Sequence, residues 1–516
     1  MKIRLFYHVS MAALIIGGMG ASSALAQTGW QTSSKGINQD VMVKPSAPSS
    51  APGMGTRVVN PVPAIPPADQ MGNQVNPADR AVMNAAPASI GAPRLVTLRD
   101  AVAKGVYTHP EYGVVTNNRR ATDEELVQAK AGYLPSVDVN ADMGREWTKD
   151  DPQNAGDDTT TLWRYQAGIT LTQMLFDGFE TRYEVERQKA RVASIAYRTW
   201  ETTEFLGLDI IESYLNILRQ RELLSIAQEN VSKHQEIHDQ MADSSSAGRT
   251  TEADLHQATA RLASARANES SVREALRVSE AEFISRVGTV PRDLIKPEPM
   301  MSGISQDVEA EVKQALLGSP TLASVEADIG VAAAEVKQAK STFMPQVDLQ
   351  LNANHANDIN GSDGDVDRAR GLVVMNWNLY RGGADTARMR EGVYRAAQAK
   401  ENRAEKGRAV EEDVRKTWAQ MVAASERERE FDIQANANEK VAAAYFDQFN
   451  LDRRTLLDVL DAQNEFFVAR SNTINSHYVR LFAVYRLLAL KGQLLPTLQV
   501  AYPTGVDPND NNDRPF

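Results

Sequence analysis

The chain has 516 residues and no cysteine, with 42% hydrophobic residues, 24% charged residues and a net charge of −11. The missing thiols exclude a disulfide framework and a cysteine-linked lipid anchor, and the acidic balance argues against a nucleic-acid partner. Beyond the N-terminus no apolar run reaches the length of a membrane-crossing helix, which leaves a water-soluble fold or a β-barrel.

Met1 to Ala26 has the form of a secretory signal peptide. Lys2 and Arg4 supply the basic start, Met11 to Ile16 the apolar centre, and Ala24-Leu25-Ala26 a small-residue cleavage site. Loss of Lys2 and Arg4 deepens the net charge from −11 to −13. Residues 27–93 hold 10 of the 22 prolines and no aromatic residue after Trp30. Such a stretch buries too little surface to offset its ordering entropy, so a disordered arm is expected.

From Leu95 onward the sequence is written twice. His109-Pro110, Gln128-Ala129-Lys130 and Tyr133-Leu134-Pro135 return as Ser319-Pro320, Gln338-Ala339-Lys340 and Phe343-Met344-Pro345, each 210 residues later. Leu175-Phe176-Asp177-Gly178 and Ala253-Asp254-Leu255 return as Leu379-Tyr380-Arg381-Gly382 and Leu457-Asp458-Val459, now 204 residues later. One deletion of six residues in a loop between two strands reconciles the offsets. The expected repeats span 94–300 and 301–495, followed by a polar tail at 496–516.

Each copy reads helix, strand, loop, strand, long helix, turn, helix. A helical pattern from Leu95 to Tyr133 stops at Pro135. Val137, Val139, Ala141 and Met143 then alternate with Asp138, Asn140, Asp142 and Gly144, the period of a strand with one apolar face. Tyr165, Ala167, Ile169 and Leu171 alternate likewise. The expected strands are 136–148, 162–175, 346–356 and 369–380. Trp147, Trp163 and Tyr165 at the loop ends, and Tyr133, Phe176, Phe343, Trp377 and Tyr380 near the helix ends, fit the two aromatic girdles of a membrane barrel.

Long helices are expected at 178–243, 249–288, 382–449 and 453–491. The first carries only Gly207 as an interior breaker and would run roughly 100 Å at ~1.5 Å per residue. Leu208, Ile211, Leu215 and Leu218, and Ile474, Tyr478, Leu481, Tyr485 and Leu488, have coiled-coil spacing. Four strands are too few to close a barrel, and open edges in lipid leave backbone groups unsatisfied, so the chain must oligomerise. A polar lumen favours three copies, giving 12 strands, over two.

The duplicated plan resembles the TolC-type outer membrane factors. The segment Arg454-Thr455-Leu456-Leu457-Asp458-Val459-Leu460-Asp461-Ala462-Gln463-Asn464, and the close Tyr485-Arg486-Leu487-Leu488-Ala489, are similar to that family's signature. The resemblance covers about Leu95 to Leu494. It implies a mainly α fold with transmembrane β: an internally duplicated protomer that trimerises into a 12-stranded β-barrel continuous with a long α-helical barrel. It implies an outer-membrane exit duct with a large periplasmic portion, working with a periplasmic adaptor (membrane fusion) protein and an inner-membrane ABC or proton-driven transporter. The signature wording looks most like the type I protein secretion branch; the alternative is drug efflux, and a remote one is a periplasmic coiled-coil adaptor.

The resemblance also places a gate at the helix tips. Asp458 and Asp461 match its inward-facing aspartates, three residues apart and so on one helical face. Arg454 matches the gate-locking arginine and Asp254 its acidic partner. Phe449 stands where the pattern has a tyrosine, and Ala253 where it has a threonine, so a looser latch is expected. His234 and His238 sit one helical turn apart, but the order is not H-E-x-x-H and no third ligand is evident. No metal, cofactor or catalytic set is expected.

Overall fold

The computed structural model describes residues 96–149, 159–298 and 303–509; the expected leader and the arm at 27–93 lie outside them. In chain order the elements are α1 (Leu98–Thr108), α2 (Pro110–Ala131), β1 (Ser136–Lys149), β2 (Thr159–Phe176), α3 (Glu180–Ser246), α4 (Glu252–Val287), α5 (Val308–Gly318), α6 (Pro320–Ser341), β3 (Gln346–Asn357), β4 (Asp365–Asn376), α7 (Ala384–Asn450), α8 (Leu456–Leu490) and the short α9 (Leu494–Thr497).

The single helix expected from Leu95 to Tyr133 is two helices. Pro110 pushes His109 into extended backbone (φ −71°, ψ 134°), which ends α1, and then itself starts α2 at the first helical position. Ser319-Pro320 breaks α5 from α6 in the same way.

The four strands form one antiparallel sheet in the order β1-β2-β3-β4. A level row runs Asp138–Thr170–Asn352–Arg370, and its neighbour runs Val139–Ile169–Ala353–Ala369. Even-numbered positions therefore share one, mostly polar, face and odd-numbered positions the other. That second face is apolar and open: Val139 is 75% exposed, Met143 80% and Val373 67%. β4 ends at Asn376, four residues before the expected end at Tyr380. Its last ladder partner is Gln346, and Pro345 before that residue has no N–H to continue the pairing. Trp377 instead donates its indole N–H to the Phe343 carbonyl, 3.2 Å away.

Each hairpin feeds a long helix through left-handed backbone. Gly178 (φ 71°) and Phe179 (φ 70°) lead into α3; Gly382 (φ 62°) and Gly383 (φ 87°) lead into α7. A Cβ on Gly178 would fall 2.7 Å from the Ser341 carbonyl oxygen, so this turn excludes any side chain. α3 and α7 each have 67 residues, close to 100 Å by the ~1.5 Å helical rise.

The main core lies where α1, α3, α4, α8 and the C-terminal segment meet. Leu208, Ile211, Leu215 and Leu218 are buried there with Ile474, Tyr478, Leu481, Tyr485 and Leu488. The expected polar tail is in fact part of this core through Leu498 and Val500. Its anchor is Glu204 in α3, fully buried. Glu204 accepts from the Leu494 backbone N–H at 3.0 Å and from the Tyr502 hydroxyl. Burial pushes its carboxyl up to about 7. Gly207 makes room for this segment, since a Cβ there would sit 3.0 Å from a methyl of Leu495.

Candidate gate at the helix tips

α3 and α7 start at the sheet and end at the far tips, where tight turns return the chain into α4 and α8. Gly248 (φ 68°) and Asp452 (φ 56°) supply the left-handed residue of each turn. The α4 and α8 starts are built alike. Thr251 and Thr455 cap their helices, and the acids three residues on, Asp254 and Asp458, bond back to the cap: a capping box in both copies.

Asp458 is therefore committed locally. Its Oδ2 accepts from the Thr455 hydroxyl at 2.9 Å and from the Thr455 N–H at 3.3 Å. These bonds, led by the hydroxyl, hold its carboxyl below the ordinary aspartate value. Asp254 accepts from the hydroxyls of Thr251 (2.7 Å) and Thr250 (3.0 Å), with the same downward effect, again led by Thr251. The sequence carries the signal for both boxes, a threonine three residues before an acid at the head of a helix.

Asp461 has a different partner. Its Oδ1 lies 3.1 Å from an Nη of Arg261 on α4, and both side chains are about half exposed. Arg261 is a neighbour of the candidate site that sequence reasoning missed. At the repeat offset it corresponds to Glu465, so no internal match flags it.

Arg454 does not contact Asp254 within the protomer. Its Nε donates to Gln448 Oε1 at 3.0 Å, its guanidinium lies 4.0 Å from the Tyr445 ring centroid, and an Nη is 3.8 Å from Asp458. The side chain lies on its own turn, over its own helix end. Phe449 packs beside an apolar cluster of Ile237, Met241, Ala258, Leu456, Val459 and Leu460, which glues the tips of both helix pairs together. Its backbone carbonyl accepts from the Asp452 N–H at 2.9 Å.

His234 is buried, and desolvation pushes its pKa down. His238 bonds to Asp239 at 3.0 Å. Among the described residues no cluster of three or more His, Asp or Glu side chains could hold a metal. No described helix is long and apolar enough to cross a membrane.

An amphipathic sheet whose open face is apolar, continuous with helix pairs of about 100 Å by helical rise, defines a protomer of a barrel-and-helix membrane channel. The family model described as "Outer membrane efflux protein" matches the chain at residues 111–289 and 312–493, one match per repeat. The chain belongs to this family. It is 24% identical over 404 residues to the outer membrane efflux protein BepC of Brucella suis, covering 77% of this chain and 86% of that one. It is 22% identical over 427 residues to the outer membrane protein TolC of Escherichia coli, covering 79% and 85%. It is 22% identical over 429 residues to the alkaline protease secretion protein AprF of Pseudomonas aeruginosa, covering 78% and 88%. The solved CmeC outer membrane channel of Campylobacter jejuni has the same fold, with a TM-score of 0.68, 14% identity, and coverage of 77% and 86%. The protein is an outer-membrane exit channel with a large helical periplasmic portion, not an enzyme.

Proposed function

We propose that three copies of this chain form one duct, and that the duct serves type I protein secretion. The observation that carries the first part is the sheet. Both of its edges, β1 and β4, lack a partner among the described residues, and its apolar face is open. In lipid such edges cost several kcal/mol per unsatisfied group (about the desolvation cost of a backbone amide), and closure with other copies removes that cost. The polar face then lines a wet lumen, which suits three copies better than two.

The secretion reading rests on the Arg454–Asn464 wording and on the likeness to AprF, a protease secretion protein by name. The likeness to BepC, an efflux protein by name, favours the second reading, drug efflux. Deleting the gene and comparing the secreted proteome with drug sensitivity separates them. Loss of one or a few exported proteins with unchanged sensitivity supports secretion; the opposite pattern overturns it. In either reading the duct works with a periplasmic adaptor and an inner-membrane ABC or proton-driven transporter, and its barrel is held in outer-membrane lipid.

At the tips, Asp458 and Asp461 from three copies would ring the mouth with carboxylates and make conductance sensitive to cations. Arg454 would latch the gate against Asp254 of an adjacent copy, since inside one protomer each is occupied with its own turn. Exposed pairs of this kind are worth only about 0–1 kcal/mol, so a partner that binds the open form slightly better can shift the population.

A further inference from the structure

The two free edges of the sheet carry opposite charge on the same face. Arg368 and Arg370 lie at even positions on β4, both exposed, and neither has an ion pair among the described residues. On β1 the even positions carry Asp138, Asp142 and Glu146. Arg164 of β2 lies between the last two, 2.8 Å from Asp142 and 2.9 Å from Glu146. Asp142 uses one oxygen in that contact and remains about half exposed. We propose that Arg370, seconded by Arg368, joins Asp142 and Glu146 of the partner subunit across the β4–β1 seam, so that a charged cluster on the lumen wall sets how adjacent copies register. This rests on the three-copy barrel proposed above.

Two arguments narrow the register to two. The first is ladder length. β4 has 12 residues and β1 has 14. Lumen-facing positions must meet lumen-facing positions, because a one-residue slip turns every side chain over. All of β4 then finds a partner in only two ways. Asn376 lies opposite Ser136 of the partner subunit and Asp365 opposite Trp147 of the partner subunit, or both move two residues on. The second argument is closure. Strands in a barrel tilt by roughly 35–45°, so a walk around twelve strands returns displaced by about 12–17 residues, or about four to six per copy. The row Asp138–Thr170–Asn352–Arg370 is level across the protomer, so the whole displacement falls at the seam. Taken toward higher β1 numbers, the direction in which β1 still offers residues to pair, it sets Arg370 level with Asp142 or Gly144 of the partner subunit, the same two registers. In the first, Arg370 faces Asp142 directly. In the second, it lies diagonally between Asp142 and Glu146 while Arg368 faces Glu146. Opposite charges so placed on one sheet face attract, and like charges repel.

The absence of native cysteine makes the test clean. Full-length protein carrying Val373→Cys with either Val139→Cys or Ala141→Cys is oxidised in native outer membranes and run without reductant. The first pair reports the first register, the second pair the other, and neither touches the charged residues. A covalent ladder up to a closed trimer from one of these pairs supports the proposal. Linkage instead through Val373→Cys with Val137→Cys or Met143→Cys means that the copies associate but the register is wrong, which overturns the proposal alone. No linkage from any of the four pairs overturns the barrel reading with it. In the linked background, Arg368→Glu with Arg370→Glu should cut the linked fraction several-fold, and adding Asp142→Arg should recover most of it. A linked fraction indifferent to both changes would show that the charges do not set the seam.

Discussion

At the scale of single residues, the two aspartates proposed for the gate are not equivalent. Asp458 is bonded back to the Thr455 cap of its own helix, whereas Asp461 offsets the charge of Arg261. Replacing Asp458 by alanine removes a charge and also one half of a capping box. Asp461→Asn removes charge alone. In planar bilayers Asp461→Asn should weaken block by divalent cations, and Arg261→Ala should strengthen it by leaving Asp461 unscreened. Equal, unchanged block in both variants would place the constriction elsewhere. Asp458, Asp461 and Arg454 were legible in the motif wording as candidates. Arg261 was not, because its partner is 200 residues away in sequence and a charge on a helix face has no local signature. Glu204 was hidden for the same reason: nothing around it in α3 announces that residues 494–502 come back to bury it. A carboxyl raised to about 7 stabilises the fold most below its ordinary value near 4.5. That contribution falls as pH rises from 4.5 to 7 and is flat above. At 1.36 kcal/mol per pKa unit it amounts to roughly 3 kcal/mol. Hydrogen exchange at the Leu494 amide should accordingly speed up between pH 5 and pH 7, after correction for intrinsic rates, at about those pH values. Glu204→Gln should abolish the trend; a trend that survives would assign it to another group.

Among the elements, alternation and periodicity located what local chemistry decides. The strands follow from period-two patterning and the long helices from unbroken runs between glycines. What escaped was set by contacts across the fold. The β4 end depends on where β3 stops offering partners. The C-terminal segment reads as polar until its leucines meet the α1–α3 groove left by Gly207. The turn from α8 to α9 shows how tight that closure is. Gly492 has φ 66°, and a Cβ there would lie 2.5 Å from the Trp200 ring and 2.9 Å from the Gly318 carbonyl. Left-handed backbone costs a residue with a side chain about 1–2 kcal/mol, and overpacking typically costs 1–3 kcal/mol, each an approximate figure. Gly492→Ala should therefore release the C-terminal segment, seen as faster proteolysis beyond residue 490 with the barrel still inserted. Unaltered cleavage would mean that the turn has more slack than its geometry indicates.

For the whole molecule, the open apolar face is the feature that an isolated protomer cannot keep in water. Val139 and Val373 sit on it in β1 and β4. A charge at the bilayer midplane on such a face costs about 2–4 kcal/mol. Val139→Arg should reduce the amount recovered in detergent-extracted outer membranes, while Asn140→Arg, one residue along and facing the other way, should be tolerated. Equal recovery of the two would contradict the assignment of the faces. The duplication, the patterning and the aromatic placement made this architecture readable in advance. The proposed join between copies was not, since its register depends on ladder lengths that only the folded sheet reveals.

The paired capping boxes have a further consequence for whatever threads the mouth. Thr251 and Thr455 make the two hairpin tips structural twins, yet one twin carries Asp458 and Asp461 and the other Asp254 and Gln257. Six look-alike prongs around the aperture of a three-copy duct would thus alternate strongly and weakly negative. A passing chain would feel a trigonal field inside a hexagonal frame, with three softer corridors between three repelling or attracting ones.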